Sequence, residues 1–431
     1  MQRLKSRNPQ RGAVVVLVAI AMGALILAAG LALDMGHAFL NKTRLQNTVD
    51  AAALAAAKAL DDTGSTALAT AEAMQAFGNN ASAAGNSELR DAYASGAGSI
   101  QVTVEYSATL PPFAPGAPDG PYVRVRATGF VMPAWLVRVG GIFQKTVAAA
   151  AVAGPRTLNV GSTVCNVAPM MVCGDSGAGA AGNWGYTLDS PQVLKKSTPG
   201  GQSGVGPGNF QLIQLGGSGA AIVRENMAGS YSACIAGGST IQTQTGNEAG
   251  PVAQGLNTRF GQYTGPMQGA EATYPPDVIV DAQDPPLEAV ERVPGDASQG
   301  YDVYHDGTHI TAENIAEQLY DYDEYNEDLE NPANYDYQPL NEGGIGAFER
   351  RVLAVPVGDC SGTVNGQGSV SLLGFACFFL LQPAQQQGND SFVYGQFIDD
   401  CAANGTPGPN PVAGSGPQII QLYDDPASND S

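Results

Sequence analysis

The sequence predicts an α+β protein: one N-terminal transmembrane helix continuing as a stalk, a small antiparallel sheet module, and a Gly-rich, mainly β domain with disulfides. Three observations carry this. Residues 13–33 form a run of 21 residues without a charge. Residues 34–60 hold good helix formers and no proline. Beyond residue 155 the chain is rich in glycine and holds all six cysteines. Of the 431 residues 55 are glycine, about double the usual ~7%, and 28 are proline, which suits short strands joined by many turns. The formal net charge of −20 argues against a nucleic-acid binder, because phosphate contacts need clustered Lys and Arg.

The first element is the apolar run AVVVLVAIAMGALILAAGLAL. A helix rises about 1.5 Å per residue, so it covers the ~30 Å hydrocarbon core of a bilayer. Arg3, Lys5, Arg7 and Arg11 precede it with no acid among the first twelve residues, and Asp34 follows it. The positive-inside rule then puts residues 1–12 in the cytoplasm as a basic leader and the rest outside it. A cleaved signal peptide would have a shorter apolar region, ~7–15 residues, so an uncut anchor is expected. Residues 34–60 continue the helix as a stalk. Leu33, Leu40, Ala51 and Leu54 recur at near-helical spacing, and Leu40, Leu45, Ala52 and Ala56 are the candidate contacts to partner helices.

After the turn Asp61–Ser65, Ser65 is a candidate N-cap for a second helix ending before Gly78. Residues 100–106 and 122–127 alternate as strands, with Arg124 and Arg126 on the outer face and a proline-rich loop between. Residues 135–139 suggest a short helix and 146–152 another strand, which completes a module over 34–155.

Two stretches carry a resemblance. Arg11-Gly12-Ala13-Val14 opens the apolar run, and Gly30-Leu31-Ala32-Leu33-Asp34-Met35-Gly36 closes it. Leu45-Gln46-Asn47-Thr48-Val49-Asp50-Ala51-Ala52-Ala53-Leu54-Ala55 follows. The combination resembles the N-terminal module of the TadE/TadG-like pilus-assembly proteins. The resemblance implies a tight-adherence (Flp, type IVc) pilus system at the bacterial inner membrane, with other pilus-assembly or pseudopilin proteins as partners. It also gives the helix and sheet the outline of a pilin-like unit. Pseudopilin members carry Glu five residues after the processing glycine; here Gly12 is followed at that place by Leu17. A chain without that glutamate is expected to stay anchored, as TadG does.

Residues 156–270 read as a Gly-rich β domain, 271–340 as an acidic Tyr-rich insertion and 341–431 as the C-terminal β segment of the same domain. An even number of cysteines outside the cytoplasm suggests disulfides. The spacing permits a local bridge between Cys165 and Cys173; among the other four, Cys360 with Cys401 is the working pairing. A zinc site would want Cys-x2-Cys spacing with histidine nearby, and none is present. In residues 271–336 eighteen acids face only Arg292, which suggests a solvated, mobile surface or a calcium site, although the EF-hand spacing fails after Asp321 and Asp323.

The remaining motifs are weak. Residues 216–220 lack the Lys of a P-loop, and Ala220 breaks the G-x-S-x-G elbow around Ser218. Asp359-x-Ser361-x-Thr363 looks like the opening of a von Willebrand factor A adhesion site, but too little chain follows for that domain, so a turn with a bridged cysteine is expected. His37 is expected on the stalk surface, and Gly307 speaks against a helical His305/His309 metal pair. The strands 350–357 and 370–381 supply core, and the tail after Gln382 is polar. No cofactor and no enzymatic activity are expected. A calcium-dependent adhesin is the alternative function, and a periplasmic hydrolase a third.

Overall fold

The computed structural model describes residues 13–94, 99–110, 112–117, 120–136, 138, 141, 143–158, 161–195, 202–203, 206–207, 209–229, 231–294, 296, 300–362, 366–387, 390–407 and 415–424. The chain divides into two compact units. The small unit comprises the described residues of Met1–Leu60, Thr66–Gly154 and Gln421–Ser431; the large unit is Asp61–Ser65 and Pro155–Ile420.

In the small unit, helix α1 (Ala13–Thr63) runs unbroken for 51 residues. Gly36 does not interrupt it, since a single glycine costs a helix only about 1 kcal/mol. Helix α2 (Thr66–Ala81) and helix α3 (Ser87–Ala94) follow. Strands β1 (Gln101–Ser107), β2 (Tyr122–Pro133) and β3 (Gln144–Thr157) make an antiparallel meander. Helix α2 does not end before Gly78 but continues through it to Ala81, and its buried stripe Ala69, Ala73, Phe77 and Ala81 keeps a four-residue step. The tyrosyl OH of Tyr106 on β1 donates to the Thr66 carbonyl on α2 (2.8 Å). Gln46 of α1 donates to the Ala150 carbonyl on β3 (2.9 Å). Of the short helix expected at 135–139, Trp135 and Leu136 form a bend after β2 and Arg138 has 3-10 helical geometry, while residues 137 and 139 lie outside the described residues.

An eight-stranded sheet organises the large unit. At its centre the strand Ser369–Leu380 pairs antiparallel with Val352–Asp359 and with Asp390–Ile398. Side chains along a strand alternate between faces, and here both faces are dry. Phe375, Cys377, Phe379 and Leu381 enter one apolar cluster, while Ala376, Phe378 and Leu380 enter the other. The helices Ala220–Gly229 and Ala249–Leu256 bring Val223, Met227, Val252 and Leu256 to the second cluster.

The first cluster is covered by the acidic segment, most of whose acids are exposed as expected while its apolar side chains form one wall of the core. Val278, Ile279, Leu287, Val303, Ile310, Ile315, Leu319, Tyr325 and Leu329 are all buried there. The acids lie between these apolar positions, and Asp321 caps the helix Tyr322–Leu329 by accepting from the Glu324 backbone N–H. The stretch after Gln382 is likewise not a mere polar tail. Val393, Tyr394, Phe397 and Ile398 are buried in a sheet strand whose alternation is masked by Gly395 and Gln396 between them.

All six cysteines are paired, as Cys165–Cys234, Cys173–Cys360 and Cys377–Cys401. Neither the local Cys165–Cys173 bridge nor Cys360–Cys401 forms. Cys165 and Cys173 lie on different strands: Val164 pairs with Ile235 beside Cys234, and Cys173 lies opposite Gly358, two residues before Cys360. Sheet pairing, not proximity along the chain, chose the partners.

Candidate functional site

Helix α1 has two halves of opposite character. Its N-terminal apolar stretch is long and apolar enough to cross a membrane, and only 6% of the most apolar window is buried. Val14 to Val18, Ile20, Met22, Leu25, Ile26, Leu27, Leu31 and Leu33 are exposed large apolar side chains. Such a continuous greasy surface needs a cover. The second half is the reverse. Leu45, Thr48, Val49, Ala52, Ala53, Ala56 and Ala57 are buried within the small unit.

That distribution corrects the expected partner contacts. Leu45, Ala52 and Ala56 are fully enclosed, so none of them can meet another subunit while the unit stays folded. The alanines Ala52, Ala53, Ala56 and Ala57 are enclosed within the small unit itself. Leu40 remains exposed, as do Gly36 and Leu33 one and two turns before it. These three share a helix face turned away from the buried one.

The junction of the two halves is polar and tightly bonded. Asp34 accepts from the backbone N–H groups of Trp135 (3.1 Å) and Leu136 (2.9 Å), just beyond β2. The Glu88 carboxylate meets His37 Nε2 (2.7 Å) and accepts from Asn41 Nδ2 (2.7 Å). The His37 ring stacks on Trp135 with centroids 4.3 Å apart. His37 is therefore a joint between helix and hairpin, not a bare surface residue. Of its partners only Asn41, Nδ2 to Nε2 at 2.9 Å, is local in sequence; Glu88 and Trp135 are 51 and 98 positions away.

In the large unit the most enclosed charges form a structural knot. Asp277 accepts from Tyr325 Oη (3.0 and 3.1 Å) and from the backbone N–H of Ile279 (3.1 Å) and Arg351 (3.0 Å). Arg351 donates to the Leu380 carbonyl (3.2 and 3.0 Å) and packs against Phe379 and Phe260, 4.4 and 4.8 Å from the ring centroids. Burial raises the Asp277 pKa against the pull of Arg351 and those hydrogen bonds. The arginine's donors go to backbone carbonyls, so the knot ties strands together.

A cavity of about 510 Å³ is lined among others by Tyr186, Ser190, Arg292, Asp302 and His309. Asp302 is held by Arg292 Nε (2.8 Å), and His309 Nε2 lies 3.9 Å from it, beyond hydrogen-bond reach. Ser190 Oγ donates to the Thr187 carbonyl (2.6 Å). The described groups thus do not make a nucleophile–base pair. His305 and His309 belong to a hairpin whose turn, at Asp306 (φ 47°) and Gly307 (φ 74°), needs a left-handed backbone. Tyr304 faces His309 and His305 faces Thr308, so the imidazoles project from opposite faces. Among the described residues no group of three or more His, Cys, Asp or Glu side chains is placed to hold a metal ion. Asp359 accepts from the Ser361 backbone N–H (2.9 Å) in a turn beside the bridged Cys360, while Thr363 lies outside the described residues.

The class defined by this arrangement is a protein with one long, half-exposed apolar helix rooted in a small helix-and-sheet unit, joined in sequence to a disulfide-bonded, mainly β unit. Residues 12–59 match the Flp pilus-assembly TadE/G-like (Tad) family. The match spans both halves of α1 and ends near its last turns. No curated protein matches the chain, and no solved structure does.

Proposed function

We propose that this protein is a membrane-anchored component of a tight-adherence (Flp) pilus assembly system that works by anchoring and protein–protein contact. The observation that supports it is the continuity of α1: the residues matched to the Tad family run from an uncovered apolar span into the packed root of a folded unit. In this reading the span crosses the bacterial inner membrane with the basic N-terminus in the cytoplasm, following the positive-inside rule. The large unit then lies in the periplasm, where its three disulfides can form. Partner helices, pseudopilin-like or otherwise, meet the exposed face of Leu33, Gly36 and Leu40. The chain acts without a cofactor or a catalytic step.

Alkaline phosphatase fused after residue 424 should be active in a piliated host, since that enzyme folds only outside the cytoplasm. Leu25→Arg, which costs about 2.5–3.5 kcal/mol at the centre of a span, should lower the membrane-bound fraction and piliation together. Leu40→Glu should reduce piliation while leaving the membrane fraction unchanged. An inactive fusion, or normal piliation by a Leu25→Arg chain shed from the membrane, would overturn the reading.

A further inference from the structure

The connection between β2 and β3 is placed where a folded, water-facing loop would not be expected. Asp34 fastens the backbone of Trp135 and Leu136 to α1. Leu136 then descends along the helix: a Cβ added to Gly30 would fall 2.9 Å from Leu136 Cβ, so the two backbones are separated by little more than that side chain. Residue 30 lies inside the uncharged run 13–33. At about 1.5 Å per residue, the hairpin reaches roughly one helical turn below the point where the run ends.

The side chains presented at that level are large and apolar. Trp135 is 52% exposed, Leu136 46% and Phe143 66%. On the helix beside them Met35 and Phe39 are also exposed. A basic group accompanies them: Lys42, Arg138 and Lys145 are exposed around the same junction. The nearby acids are engaged, Asp34 with the hairpin backbone and Glu88 with His37 and Asn41. Aromatic rings with Lys and Arg just outside an apolar span are the composition of a membrane–water interface. There the indole sits at headgroup level and the cations meet lipid phosphates.

We propose that Trp135, Leu136 and Phe143, at the two ends of the β2–β3 connection, are seated in the lipid headgroup region alongside α1. The small unit then touches the bilayer at two places, and the residues after the span are not a free stalk. The proposal rests on α1 spanning a membrane. Its distinguishing support is the continuity of the exposed hairpin with that span and the cations matched to an anionic lipid surface.

The chain has two tryptophans, and Trp184 is buried in the large unit, so Trp135 can be read on its own. The full chain is reconstituted into vesicles of phosphatidylethanolamine and phosphatidylglycerol, with and without bromine near the headgroup end of the acyl chains to read the hairpin, or near their methyl end to read the helix at residue 25. The emission of the native chain minus that of Trp135→Phe isolates Trp135. Its emission should be blue-shifted, should lose most of its intensity to the brominated lipid, and should resist iodide in the water. Phe143→Trp in the Trp135→Phe chain repeats the reading from the other side of the hairpin. A Leu25→Trp reporter in the same Trp135→Phe chain reads the helix separately.

If the Leu25→Trp reporter is quenched by bromine while Trp135 is open to iodide and untouched by bromine, the hairpin proposal falls and the anchor stands. If Trp135 is shielded from both quenchers, protein covers the hairpin and the lipid contact is wrong. If the Leu25→Trp reporter also escapes bromine, the membrane reading itself is overturned, and the hairpin proposal with it.

Discussion

Lys195 is the residue whose environment is least suited to its charge. It is fully enclosed, its ammonium donates to Asn247 Oδ1 (3.2 Å), and burial pushes its pKa down to about 7 against the opposing pull of Glu248. In the unfolded chain the group returns to the ordinary lysine range, near 10.5. Between these values the folded protein binds fewer protons than the unfolded one, so stability contributed by this site rises with pH across the window. Below about pH 7 both states are charged and the folded state bears the full desolvation penalty. Lys195→Met, similar in bulk and uncharged, should flatten that part of the pH dependence and raise the melting temperature most at neutral pH. Urea titrations of both chains between neutral and alkaline pH measure the difference, and parallel curves would contradict the assignment. Ala52 and Ala56 make the complementary case of a residue with no room. A leucine at either should destabilise the small unit by about 1–3 kcal/mol, because overpacking forces neighbours off their rotamers. Loss of piliation in such a chain would then follow unfolding, visible as faster amide exchange in β2 and β3.

Among the elements, α1 was the most legible. Twenty-one uncharged residues followed by alanine-rich, proline-free sequence leave a helix little alternative, and it runs on through Gly36 as expected. The strands β1 and β2 were readable from their alternation. The inward packing of the acidic segment does not show in its sequence, because its acids are spread between the apolar residues that occupy the inward positions. Disulfides hold elements that lie far apart along the chain. Cys173–Cys360 closes a separation of 187 residues, Cys165–Cys234 one of 69 and Cys377–Cys401 one of 24. Chain entropy then ranks their contributions at about 5, 4 and 3.5 kcal/mol. Alanine pairs replacing each bridge should lower the unfolding midpoint in that order, and a largest loss from Cys377/Cys401 would show that loop length does not govern them.

For the molecule as a whole, the balance of 40 acids to 20 bases has a testable consequence. The acids of residues 271–336 are dispersed around apolar anchors and cap a helix, and no cluster among the described residues suits a cation. Millimolar calcium should leave the melting temperature unchanged beyond the shift that equal ionic strength of sodium produces. A saturable rise specific to calcium would revive the adhesin alternative, since a ligand bound only by the folded state must stabilise it. The small unit sets a different demand: an exposed apolar helix at one end and a buried one at the other require two solvents for one element.

What the sequence determined by itself was local: the apolar run, the helix that extends it, the alternating strands, and an even set of cysteines that could pair. Each of these depends on neighbours within a turn or a strand, so the pattern is written in adjacent letters. The Tad match likewise covers a single continuous stretch, residues 12–59. The tertiary structure alone decided which cysteines met, that Ala52 and Ala56 face inward, that His37 joins Glu88 and Trp135, and that acidic residues 271–340 roof a hydrophobic core. Those outcomes depend on sheet pairing between segments tens to hundreds of residues apart, and burial becomes definite only when that pairing brings the surfaces together.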